Sequence, residues 1–225
     1  MQQRSTPNPL PDEVAEAEKP TSRQKIHVVL AMSENMMTLN QELKSLLQLS
    51  STQQVIYVNV TIDTQYIIKN YSPNQSKDNP PMINTNQKGF NPIYMVATQE
   101  NSINSGTVNL QVSASVGDFI CWASQSETSN FDHSVYIYAI KPVQGKVFSQ
   151  DDVRYSCYNK TIVVPSKNDP TLMVEEKRTF PFMTAPIEDT GTESYHIWFA
   201  LYKREGTTQK LYGYFREDPT IVVNG

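Results

Sequence analysis

Residues 126–133 read Ser-Glu-Thr-Ser-Asn-Phe-Asp-His, a dense gathering of side chains able to do chemistry. Glu127 and Asp132 supply carboxylates, Asn130 an amide, His133 an imidazole and Phe131 an aromatic ring. Carboxylates and amides beside a ring are what a sugar site needs, because hydroxyls want strong acceptors and donors while the apolar sugar face wants an aromatic platform. The same oxygens suit Ca²⁺. The alternative is a loop bonded to itself, with Phe131 tucked into the end of the fold. Elsewhere the sequence holds no phosphate loop, dinucleotide fingerprint, Gly-x-Ser-x-Gly elbow or His-Glu-x-x-His. His27, His133 and His196 are too scattered for a zinc pattern, and Cys121 and Cys157 do not complete one. Asp151-Asp152 reads as a cap. These residues predict no catalytic group, no cofactor beyond the Ca²⁺ option, and a ligand site, if any, at 126–133.

The elements that must hold this loop are strands. Val108, Leu110, Val112 and Ala114 alternate with polar residues, the period of two of a half-buried strand. Gly117-Asp118 is a turn, and residues 119–123 and 135–140 continue as aromatic and β-branched strands on either side of the loop. These three strands are expected to form the middle of an antiparallel sheet. Upstream, residues 55–62 alternate cleanly, 64–70 suit a helical turn or a strand continuation, and 72–92 form a long loop rich in Pro and Asn. Downstream, 148–158 is ambiguous, and 161–164 and 172–182 read as strands. Residues 193–202 are bulky on both faces and so belong centrally, with Tyr195, Ile197, Phe199 and Leu201 on one face and His196, Trp198 and Tyr202 on the other. Glu205-Gly206-Thr207 is a hairpin turn, and 220–223 a last edge strand. Eight to ten such strands predict an all-β sandwich or barrel.

Before residue 51 the pattern changes. Residues 1–25 carry four Pro among charged groups and read as a disordered tail. Residues 26–50 hold a short strand and an amphipathic helix over 34–49, with Met36, Leu39, Leu43, Leu46 and Leu47 at helical spacing. That stripe needs a cover, from this domain or another chain. The organisation expected is therefore a tail (1–25), a strand–helix extension (26–50) and a β domain (51–225). A net charge of −4 gives no footprint for nucleic acid, and no basic block suits an anionic membrane. The first 25 residues lack an export signal, which predicts a cytoplasmic protein whose two cysteines are buried thiols rather than a disulfide.

Several pieces of the chain, in order, resemble the AidA/PixA family of bacterial inclusion-body proteins. They are Ile62-Asp63-Thr64 with Ile67-Ile68 and Tyr71, Tyr94-Met95-Val96, Ser115-Val116-Gly117-Asp118, Asn130-Phe131-Asp132 and Tyr136-Ile137-Tyr138. Tyr195-His196-Ile197-Trp198-Phe199, Tyr212-Gly213-Tyr214-Phe215 and Asp218-Pro219 close the set. The resemblance implies an antiparallel β-sandwich of immunoglobulin-like class, here with one N-terminal amphipathic helix, in an intracellular bacterial protein. Some members accumulate as crystalline inclusions in stationary phase and others are under quorum-sensing control. It implies a non-enzymatic, self-associating protein, a homo-oligomer or larger assembly, and carries no catalytic residues. The runner-up is a lectin-like module binding a glycan through 126–133. Two departures stand out: the segment before Ser50 exceeds the family core, and Glu217 replaces an expected aromatic before Asp218-Pro219.

Overall fold

The computed structural model describes residues 52–83 and 91–225. The tail and the 34–49 helix fall outside these residues. Ten strands follow: β1 (Val55–Ile62), β2 (Ile93–Val96), β3 (Asn109–Ser113), β4 (Phe119–Ser126), β5 (Ser134–Gln144), β6 (Arg154–Pro165), β7 (Met173–Pro186), β8 (Gly191–Glu205), β9 (Thr208–Glu217) and β10 (Thr220–Asn224). One short helix, α1 (Thr64–Asn70), follows β1. The strands form a first sheet ordered β2-β1-β4-β7-β6 and a second ordered β3-β10-β8-β5, with β9 also on β8. Side chains from both sheets fill one interior. Val58, Val60, Ile62 and Ile120 meet Tyr195, Ile197, Phe199 and Leu201, each fully buried. Trp122 lies among them, with its ring centroid 5.4 Å from Phe148 and 5.9 Å from Tyr195.

The sheets are mixed rather than purely antiparallel. β1 runs parallel to β4 across eight residue pairs, and β10 runs parallel to β3. The expected trio around the 126–133 loop is also divided: β4 is central in the first sheet, whereas β3 and β5 bound the second. Alternation fixes which face of a strand is buried, not which strand lies beside it, so this partition was not readable from periodicity. The crossing between β3 and β4 turns on Asp118, whose buried carboxylate accepts from the N–H groups of Ser115 and Gln54, both at 2.8 Å. The 220–223 strand is not an edge, since β10 lies between β8 and β3. β9 and β10 in effect prolong one line along β8, broken where Pro219 cannot donate: Glu217 faces Ile197 and Thr220 faces Ser194.

Most sheet edges are closed from within the chain. The described part of the long 72–92 loop is a strap along β9: Asn74 donates to the Tyr212 carbonyl, Arg216 N–H to Pro81, and Ile83 N–H to Arg216. It comes so close that a Cβ on Gly213 would lie 2.9 Å from the Asn74 backbone. The turn before β3 serves two edges, through Met95 N–H to Thr107 and Ile103 N–H to Gln111. Along β5, the Ser124 hydroxyl bonds the Val135 carbonyl and the Ile137 N–H, and Asn130 Oδ1 takes the Val135 N–H. β6 differs. It pairs with β7 over twelve positions and ends its sheet, and none of its residues is buried. β4 reaches only Met183–Pro186 of β7, so the far half of the β6–β7 pair is a two-stranded ribbon beyond the sandwich.

Candidate functional site

The 126–133 loop is built from its own side chains. Ser129 and Asn130 have φ of 54° and 62°, a left-handed turn that Asn adopts at low cost. Asn130 Oδ1 accepts from Ser126 N at 2.8 Å and Val135 N at 3.1 Å, while Ser126 Oγ accepts from Asn130 N at 2.8 Å. Glu127 points to the start of α1. Its carboxylate accepts from Thr64 N at 2.8 Å, Thr64 Oγ1 at 2.9 Å and Gln65 N at 3.3 Å, complementing the positive end of a helix that Asp63 already caps. Asp132 pairs with Arg204 at 3.2 Å, and His133 Nδ1 accepts from Arg204 N at 3.1 Å. The Arg204 guanidinium also donates to the Phe131 carbonyl. Gln209 donates to the carbonyl of Asp132 at 3.0 Å and takes the Ser134 hydroxyl at 2.6 Å.

The five expected site residues are thus together at one end of the sandwich, but Glu127, Asn130, Asp132 and His133 are engaged in holding the loop. Phe131 is not tucked into the end of the fold: it is 80% exposed, with the Arg204 guanidinium 5.9 Å from its ring. A sugar would meet that ring and few unengaged polar groups. Among the described residues no three His, Cys, Asp or Glu side chains gather where a metal ion could sit. The partners that determine this geometry, Thr64, Arg204 and Gln209, are 63 to 79 residues away along the chain, and nothing near 126–133 announces them.

The other reactive types are held in quiet forms. Cys121 is buried and Cys157 exposed, both as free thiols, which corrects the expectation of two buried ones. Burial pushes the Cys121 thiol up to about 12, so it stays protonated and is a poor nucleophile at neutral pH. Burial also raises the Glu193 carboxyl, against the opposing N–H of Val147 at 3.0 Å. That carboxylate rests on Gly145, where a Cβ would lie 2.3 Å from Glu193 Oε2.

The ribbon is the second surface of note. Tyr155, Val163, Leu172, Met173 and Val174 are exposed on or beside it, and Lys160, Lys177 and Arg178 line a concavity at its middle. Arg178 is paired with Glu176 at 2.9 Å.

The sequence profile of the PixA family, described as inclusion body protein, matches residues 54–223, well over half of the chain. The chain belongs to the PixA family. Among solved structures, the crystal structure of the inclusion body protein PixA from Burkholderia cenocepacia J2315 is similar at a TM-score of 0.65 and 22% identity, covering 78% of this chain and 99% of that one. The likeness is one of fold. No curated protein matches. The PixA match takes in the 126–133 loop, the strap and the ribbon, and begins at residue 54. Glu217, at the position where the PixA resemblance suggested an aromatic, is buried opposite Ile197. Among the described residues no helix is long and apolar enough to cross a membrane.

Proposed function

We propose that this PixA-family chain is a non-enzymatic, self-associating cytoplasmic protein of the inclusion-body kind, and that its copies join along the outer edge of β6. The observation that carries this is the contrast among edges. The strap, the turn before β3 and the Ser124 and Asn130 side chains serve parts of the others, whereas β6 leaves a twelve-residue edge with no strand beyond it among the described residues. A strand edge with unmet N–H and C=O groups is a template for another strand, and two copies related by a two-fold axis satisfy it reciprocally. Exposed Val163, Met173 and Val174 give such a junction apolar area, and a net charge of −4 on 225 residues keeps mutual repulsion low.

Light scattering over a concentration series tests this on the full chain and on Thr161→Pro and Val163→Lys. Both positions are on the exposed ribbon, away from the core, so folding is expected to be retained. The wild type should associate, and either variant should do so at least about tenfold more weakly. A wild type monomeric throughout overturns self-association. A wild type that assembles with both variants unaffected removes only the β6 edge.

A further inference from the structure

The outer face of the second sheet carries a cluster that neither the loop nor the ribbon uses. On β8, Tyr195, Ile197, Phe199 and Leu201 face the core, so His196, Trp198 and Tyr202 face outward. Register sets Lys141 of β5 opposite His196, and Arg216 of β9 opposite Trp198. A bulge between Ile137 and Ala139 adds Tyr138 to this group, with its ring 6.1 Å from Trp198 and 5.5 Å from Tyr214. Bulges of this kind re-aim side chains and recur beside binding sites. Tyr138 in turn donates to the Lys77 carbonyl, which ties the strap to the same face.

Two features of the cluster are unusual. Trp198, on an outer face, is only 7% exposed, and its Nε1–H is buried without an acceptor. The Nε–H of Arg216, its cross-strand partner, is buried without one too. Buried donors are nearly always paired, because an unpaired one forfeits its hydration with no return. Two cations also lie there, with the carboxylates of Asp78 near Tyr138 and Asp218 near His196 facing the cluster. Lys141 Nζ lies 3.6 Å from the Trp198 ring centroid, and among the described residues neither Lys141 nor Arg216 has an ion pair. His196 is held below its ordinary value by burial and by Arg216 and Lys141, against the pull of Asp218. Two orphan donors beside two cations without ion pairs call for the same thing, an acceptor with negative charge.

We propose that Lys141, Trp198 and Arg216 form a site for a small oxyanion, a carboxylate or a phosphate, on the outer face of the β5–β8–β9 sheet, with His196 at its margin. The anion's oxygens accept from the Trp198 indole and the Arg216 guanidinium, and Lys141 balances its charge. Charge-assisted bonds to a guanidinium and an ammonium are the strong class, and shielding by the surrounding rings strengthens them.

The probes are inorganic phosphate and acetate, titrated into the ¹⁵N-labelled full chain at constant ionic strength with chloride. The chain has two tryptophans, so Trp122→Phe assigns their indole signals. A saturable shift of the Trp198 indole and Arg216 Nε–H signals is expected with at least one anion, while the Trp122 indole stays unmoved. Bound anion should also raise the His196 pKa, because negative charge favours the imidazolium. Lys141→Gln, a half-buried surface change, should weaken binding about tenfold. Arg216→Gln should do so at least as strongly; if it does not fold, the Lys141 variant decides. Absence of saturation by either anion, equal response to chloride, or binding unchanged in Lys141→Gln would overturn the site.

Discussion

Trp122→Ala should lower the free energy of unfolding by about 3–5 kcal/mol, the usual cost of removing a large buried aromatic. Trp122 is 1% exposed and bridges the two sheets, since it belongs to β4 while Tyr195 belongs to β8. Its Nε1–H reaches Tyr195 Oη at 3.4 Å, and Tyr195 Oη lies 3.2 Å from the Met95 sulfur. Truncation would leave a void that the packed rings of Phe148 and Tyr195 cannot fill, and it would loosen the positioning of the Tyr195 hydroxyl. Urea unfolding should show a lower midpoint with an unchanged slope, because the surface exposed on unfolding stays nearly the same. Val163→Ala on the ribbon should move stability by no more than about 0.5 kcal/mol. Equal costs at the two positions would mean that the shared interior is not where stability resides.

Gly145→Ala is expected to cost about 2–4 kcal/mol, from backbone strain and overpacking together. Gly145 has φ of 144°, outside the range that side-chain-bearing residues favour, and the added methyl would meet Glu193 Oε2 at 2.3 Å and the Thr192 carbonyl at 2.6 Å. The Thr192 carbonyl belongs to the backbone and cannot rotate away, so the carboxylate would have to leave its bond with Val147. Gly191→Ala separates the two causes, because Gly191 has φ of 129° with open space around it and pays strain alone. Thermal unfolding should therefore place Gly145→Ala clearly below Gly191→Ala. Equal melting temperatures would remove the clash with Glu193 from the account.

What the sequence disclosed follows from which residues carry a period. β1 and β8 were legible because one face of each carries an unbroken apolar run, Ile56 to Ile62 and Tyr195 to Leu201, and the hairpin at Gly206 because its turn chemistry is local. The first half of β6 was not, since Arg154-Tyr-Ser-Cys-Tyr-Asn-Lys160 is buried on neither face and burial is what writes alternation into a sequence. Strand partners were illegible for a related reason: the parallel β1–β4 and β3–β10 pairs join residues far apart in the chain, and alternation says nothing about them. At 126–133 the residue types suggested a ligand, but the same carboxylates and amides serve equally to fix a loop. Which use prevails depends on Thr64, Arg204 and Gln209, whose proximity only folding creates. The family resemblance, by contrast, was carried by short ordered pieces whose span agrees with the 54–223 match.

Hydrogen exchange of backbone amides at low and high protein concentration tests most directly whether copies meet along β6. Amides of β6 that face away from β7 should exchange freely in dilute solution and become protected as concentration rises, while amides of β1 and β8, already within their sheets, change little. Protection that rises with concentration elsewhere but not on β6, or β6 amides that exchange equally fast at every concentration, would contradict it.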